Sequence, residues 1–283
     1  MDLPRIPLGK FGEAGVRWLT VHMAPPIHAF DAVVTAMNSA LLGVFGAAPP
    51  AVWILVVALA AWRAAGRGTA IFSLLGLLAI WNQGLWDATV KTLSLVLTAA
   101  FLSLCIAVPI GIAIAESRAV RAAVTPILTF VQTMPRFVYL IPAVIVLGID
   151  VAPAIFATIT LAVVPPIRMT ALGLAEVDPR LVEAGAAMGC TRWQLLAKVK
   201  LPLAAPAILL GVNQCVMMSL SMVVIAALIG ASGLGDEILR AIAQLRAGEG
   251  ILAGLAIFVL AVTIDRITLG WAGSSRAPSA RGW

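Results

Sequence analysis

Charge is what this chain has least of. Only 11% of its 283 residues are Asp, Glu, Lys or Arg, against roughly 25% in an ordinary soluble domain, while 61% are apolar and the mean hydropathy is +1.05. So little charge excludes a water-soluble globule and points to an all-α integral membrane protein, in which each backbone polar group is paired within its own helix. Histidine is scarcer still: His22 and His28 both precede the long apolar segments and have no clustered Cys, Asp or Glu neighbours, so no metal site is expected. Cys105, Cys190 and Cys215 are far apart in apolar or inner-face sequence, give neither a CxxC nor a disulfide framework, and read as packing residues. No G-x-x-x-x-G-K-[ST] occurs, which excludes a P-loop. The net charge of +6 comes without the aromatic-basic interleaving of a nucleic-acid surface, so no nucleic acid is expected.

What is present is a series of apolar windows near the ~20 residues needed to cross ~30 Å of hydrocarbon. Seven are read as spans: 50–62, 69–81, 89–115, 124–147, 153–174, 203–229 and 251–271. The first two are short, and Arg63, Arg67 and the glycines between them also suit a re-entrant hairpin. Residues 30–45, with Asp31 and Asn38 among apolar neighbours, read as an interfacial amphipathic helix. Residues 1–29 read as an irregular tail with no cleavable signal. The resulting division is a tail and amphipathic helix over 1–48, a membrane domain over 49–271, and a tail over 272–283. Gly230-Ala-Ser232-Gly233 is similar to the Gly-x-Ser-Gly of intramembrane serine proteases, but no span holds the histidine such a serine needs, and residues 230–235 read as a flexible exit from the sixth span.

A polar island over 178–206 interrupts the apolar series. Asp178 suits an N-cap, Pro179 the first helical position and Gly189 the left-handed residue that ends a helix. Thr191 with Gln194 then makes a capping box for a second helix, whose far end is expected at Pro202 and Pro206. Residues 184–187 carry almost no side chain, so the first helix can approach a partner closely, as a helix laid in a groove does. With this island inside, Arg63, Arg67, Arg118, Arg121, Arg168, Arg180, Arg192, Lys198, Lys200, Arg266, Arg276 and Arg281 share the inner face, twelve of the nineteen Lys and Arg. That puts the N-terminus outside and the C-terminus inside.

Glu183, Ala184, Gly185, Gly189, Val199, Leu201 and Pro202 are spaced as in the EAA loop of ABC-importer permeases, with Gly185 in place of a usual Ala and Val199 of a usual Ile. The stretches Gln132-Thr-Met-Pro-Arg-Phe-Val-Tyr-Leu-Ile-Pro142, Gly211-Val-Asn-Gln214, Leu220-Ser-Met-Val-Val-Ile225 and Gly233-Leu-Gly235, with Gly84-Leu-Trp86 and Asp265-Arg266, resemble permeases of importers for glycine betaine, proline betaine, carnitine or choline. Arg136 departs from that pattern, where a small residue would suit. The resemblance implies a type I ABC-importer permease fold of about seven transmembrane helices, with residues 175–202 as the coupling loop to a separate ATPase. It further implies a second permease copy, two ATPase subunits holding ATP and Mg, an extracytoplasmic binding protein on its own chain, a bacterial inner membrane, and neither cofactor nor catalytic residue on this chain. Affinity and selectivity would then reside mainly in the binding protein.

For the path itself, Pro126, Pro135 and Pro142 predict a kinked fourth span buried against protein or water. Pro135, Phe137, Tyr139, Pro142, Asn213, Gln214 and Met222 are its candidate lining, aromatic faces and thioethers being suited to a quaternary ammonium with no N–H to donate. Phe137 and Tyr139 read equally well as packing residues. Asn213 and Gln214 are both expected to face protein, helix glue being the stronger role. Arg136 is the one positive charge placed inside a span, near an end or beside an unidentified carboxylate, and as the lone midplane candidate for ion coupling it argues against an ion-coupled secondary transporter.

Overall fold

In the computed structural model, residues 22–274 are described, and among them every regular element is helical. Helices α1 (Ala24–Gly46), α2 (Pro50–Ala65) and α3 (Arg67–Asn82) precede α4 (Trp86–Glu116). At 31 residues, about 46 Å by the α-helical rise, α4 is the pillar of the bundle. Helices α5 (Arg118–Thr133) and α6 (Leu140–Leu147) flank a 3₁₀ turn at Arg136–Tyr139, and α7 (Val151–Ala162) leads into α8 (Val164–Ala175). The polar island follows as α9 (Pro179–Ala187), α10 (Arg192–Leu195) and a π turn at Leu196–Lys200. Then come α11 (Leu201–Ser221), α12 (Val223–Ala227), α13 (Leu234–Ala243) and α14 (Ala247–Ser274).

Lipid supplies no hydrophobic drive between spans, so close approach of small residues does the packing. A Cβ on Gly111 of α4 would lie 2.9 Å from the Ile167 carbonyl oxygen of α8. One on Gly211 of α11 would lie 2.9 Å from Pro166 Cα, and Gly173 of α8 faces Ala204 and Ala207 of α11. Helices α4, α8 and α11 therefore meet at backbone distance. Buried polar pairs add register: Ser73 with Thr263 at 3.0 Å joins α3 to α14, and Thr92 Oγ1 accepts the Leu234 N–H at 2.8 Å.

Among the described residues, five helical stretches are long and apolar enough to cross a bilayer, or six if the bent pair α5 and α6 counts as one. Helices α2 and α3, at 16 residues each or about 24 Å, fall short of the hydrocarbon thickness. In contrast to the expected interfacial helix at 30–45, α1 runs 23 residues and is one of the five. Its apolar residues are spread around the helix rather than gathered in one stripe, as a surface-lying helix needs. Asn38 is buried and accepts the Ser94 hydroxyl of α4 at 2.8 Å. Val34 and Phe30 pack into the same cluster, with Leu95 of α4 and Ile155 of α7.

Five other expectations are corrected. The 124–147 span is not a bent continuous helix: α5 and the following segment meet at 107°. Pro126 and Pro142 lie inside helices, and only Pro135 coincides with the break, where Met134 before it is extended at ψ 141° as a pre-proline residue prefers. The second island helix does not stop at Pro202 but passes through the π turn into α11, the i→i−5 bond from Leu201 to Leu196 widening the helix ahead of the proline ring. Residues 230–235 form a packed corner rather than a flexible exit: Leu234 is fully buried, and a Cβ on Gly233 would meet the Thr92 hydroxyl at 2.5 Å. Cys215 is buried as expected, whereas Cys105 stands exposed on α4. His28, expected in a tail, lies in the second turn of α1.

Candidate functional site

The island folds as its local chemistry dictates. Asp178 Oδ1 accepts the Arg180 N–H at 2.9 Å, opening α9. Gly189, at φ +82°, closes it: its own N–H donates to Ala186 and that of Cys190 to Gly185, at 2.9 and 3.1 Å. The capping box is formed on both sides, Gln194 N–H to Thr191 Oγ1 at 3.4 Å and Thr191 N–H to Gln194 Oε1 at 2.8 Å.

The resulting hairpin has a fixed base and an open outer face. Leu196 is buried with Leu174 of α8 and Ala204 of α11, and Leu201 packs beside them. Lys200 Nζ pairs with Glu116 Oε1 at 2.6 Å at the foot of α4. Gly185 is buried inside the hairpin, where a Cβ would lie 2.6 Å from Leu195 Cδ2 and 3.8 Å from Val199 Cγ2. The two departures from the usual loop pattern are thus packing neighbours. Outward stand Glu183, Ala184 and Gly189, with Pro202 exposed below them. Sequence reasoning missed Met188 and Trp193, which are 87% and 77% exposed. The signal was available, since Thr191 caps a helix whose inner positions are Leu195 and Leu196, turning Trp193 to the opposite side. A large apolar pair held in the open on a braced hairpin suits a partner surface.

The candidate path residues divide. Pro135 and Phe137 are exposed at the α5 break, while Tyr139 is half-buried with its hydroxyl donating to the Val131 carbonyl at 2.7 Å. Pro142 lies beside Phe30 and Phe156, lining an apolar hollow with them. Met222 is buried among Leu140, Ala157 and Leu161. Of the amide pair, Asn213 faces protein and Gln214 is exposed, because successive helical residues point about 100° apart and one stripe cannot hold both. Asn213 Nδ2 donates to Asp265 Oδ1 at 2.9 Å, and Thr268 donates to the Asn213 carbonyl oxygen. Asp265 is thus an ionisable group within a span, engaged in a helix clasp. Among the described residues Arg136 makes no ion pair; its Nη1 donates to Ser221 Oγ at 3.0 Å and its Nη2 approaches Met218 Sδ at 3.9 Å. No cluster of metal-ligating side chains occurs among the described residues.

Comparison with known proteins agrees with this architecture. The chain is 44% identical over 94% of both chains to the glycine betaine transport system permease protein OpuAB of Bacillus subtilis. It is 40% identical to the glycine betaine/carnitine transport permease protein GbuB of Listeria monocytogenes, over 94% of this chain and 96% of that one. The inward-facing MetNI methionine ABC transporter superposes with a TM-score of 0.61 at 21% identity, covering 66% of this chain and 94% of that chain, a likeness of fold alone. The family model for the inner membrane component of binding-protein-dependent transport systems matches residues 107–271, which hold both the hairpin and the broken segment, and the chain belongs to that family of ABC-importer permeases.

Proposed function

We propose that this chain is the membrane-spanning subunit of an ATP-driven importer for quaternary amine osmoprotectants of the glycine betaine, carnitine and choline class. The observation that carries the reading is the braced hairpin, which presents Glu183, Ala184, Gly189, Met188 and Trp193 outward while Leu196 and Lys200 bind its base to α4, α8 and α11. Motion imposed on such a knob passes to three spans together. The relatives' glycine betaine and carnitine cargo supports the substrate class.

In this reading two ATPase subunits seat the hairpins of two permease copies in their grooves. ATP and Mg are held and hydrolysed there, this chain catalyses nothing, and an extracytoplasmic binding protein delivers the cargo. The hairpin and the C-terminus are cytoplasmic. The 23-residue α1 crosses the bilayer, with Asn38 bonded to α4 at depth. The N-terminus is then cytoplasmic as well, which revises the outward orientation expected from seven spans, and Arg5, Lys10 and Arg17 join the positive inner face.

The test is reconstitution with ATPase and binding protein in vesicles. Labelled glycine betaine should accumulate only with ATP and both partners. Uptake by the permease alone under a sodium or proton gradient would overturn the reading.

A further inference from the structure

Helix α5 has two faces. Val120, Val124, Leu128 and Val131 pack toward α4 and α8. Arg121, Thr125 and Thr129, four residues apart, stand exposed on the other side, their row continued by Gln132 and Thr133 at the break. The Thr125 and Thr129 hydroxyls bond back to the carbonyls of Arg121 and Thr125, at 2.7 and 3.1 Å. A charged and hydroxylated face of this length does not suit lipid; it belongs to water or to protein.

Of two further arginines, one reaches this polar face and the other a polar face of α11. Arg168 of α8 donates to Thr129 Oγ1 at 3.4 Å, and Arg136 reaches Ser221 on the exposed face of α11 that also carries Gln214. Neither guanidinium has a carboxylate partner among the described residues, whose ion pairs are Lys200 with Glu116, Arg240 with Asp236 and Glu237, and Arg246 with Glu249. A guanidinium presents five N–H donors in a planar fork that matches a carboxylate, and one hydroxyl leaves most of that fork unused. Their depths differ. Ser221 ends α11, which begins at Leu201 beside the hairpin, so Arg136 lies about 30 Å along that helix, near the outer end of the path. Arg168 lies about 10 Å from the inner end of α8.

We infer that Arg136, oriented by Ser221, is a contact for the carboxylate of a zwitterionic cargo at the outer mouth of the path. The arginine row makes the path admit betaine-type solutes and disfavour the cationic choline. The inference rests on the proposed quaternary amine cargo and narrows it to members that carry an acid group. Arg136 is also the position where this chain departs from the resembling segment, so the preference would be its own.

The test uses the complete importer in vesicles with saturating loaded binding protein. Arg136→Gln should reach the membrane and co-purify with the ATPase, while glycine betaine uptake falls about tenfold or more. Arg136→Lys, which keeps the charge, should retain most of the uptake. Wild-type rates in Arg136→Gln, or equal losses in Gln and Lys, would overturn the carboxylate contact while leaving the cargo class intact. If the wild-type complex takes up no quaternary amine at all, both readings fall. Should Arg136→Gln not assemble, Arg136→Cys treated with cationic or anionic thiosulfonate reagents keeps the question open to measurement. Recovery only with the cationic adduct supports the contact, and no difference between the adducts overturns it.

Discussion

Glycines of this chain do different work at different positions, and substitutions separate them. Gly189 sits at φ +82° with open space around it, so its value is backbone conformation alone. Gly189→Leu places a side chain in the left-handed region at a cost of about 1–2 kcal/mol, concentrated in the turn between α9 and α10. The variant should remain in the membrane at wild-type abundance yet fail to co-purify with its ATPase, and transport should be lost; retained coupling would count against the docking role. At Gly185 a Cβ meets the far end of Leu195, a side chain free to move, so Gly185→Ala should transport normally. At Gly211 it meets the Pro166 backbone, and Gly211→Ala should destabilise the detergent-solubilised protein by about 1–3 kcal/mol, read as a lowered thermal midpoint. Equal effects at 185 and 211 would refute this division.

At the scale of elements, legibility tracked how local the deciding physics is. The hairpin was readable because Asp178, Gly189, Thr191 and Gln194 each act on backbone groups within three or four residues. The break after α5 was not: three prolines announce a bend, and only tertiary packing decides that Pro135 makes it. Asn213 and Gln214 were likewise indistinguishable until the azimuth of α11 was known, and Asp265 was overlooked as a membrane charge because its partner is fifty-two residues away. That clasp can be measured. Asn213→Leu removes the amide bonded to Asp265 and leaves a carboxylate short of a donor, so the thermal midpoint should fall by an amount worth about 1–3 kcal/mol. Gln214→Leu, on the exposed side of the same turn, should leave it within about 0.5 kcal/mol. A reversed order would place the wrong amide in the core.

For the molecule as a whole, the decisive question is how many times the chain crosses before α4, because every loop upstream changes side with the answer. A surface-lying α1 would keep Met23 and residue 48 in the same aqueous phase, whereas a crossing α1 separates them. Two features favour crossing. Its one amide, Asn38, is buried against Ser94 rather than hydrated, and moving Arg5, Lys10 and Arg17 inward raises the inner-face count from twelve to fifteen of the nineteen cations. Natural Cys190, half-buried beside Gly189 in the hairpin, supplies an internal reference for the side on which the hairpin lies. With a membrane-impermeant thiol reagent on sealed vesicles, Met23→Cys should be labelled from the same side as Cys190, and Ala48→Cys only from the opposite side. Adding the ATPase should protect Cys190 and leave Met23→Cys reactive, since the hairpin alone is covered by docking. Labelling of positions 23 and 48 from one side would return α1 to the membrane surface and, with it, the N-terminus to the outer face.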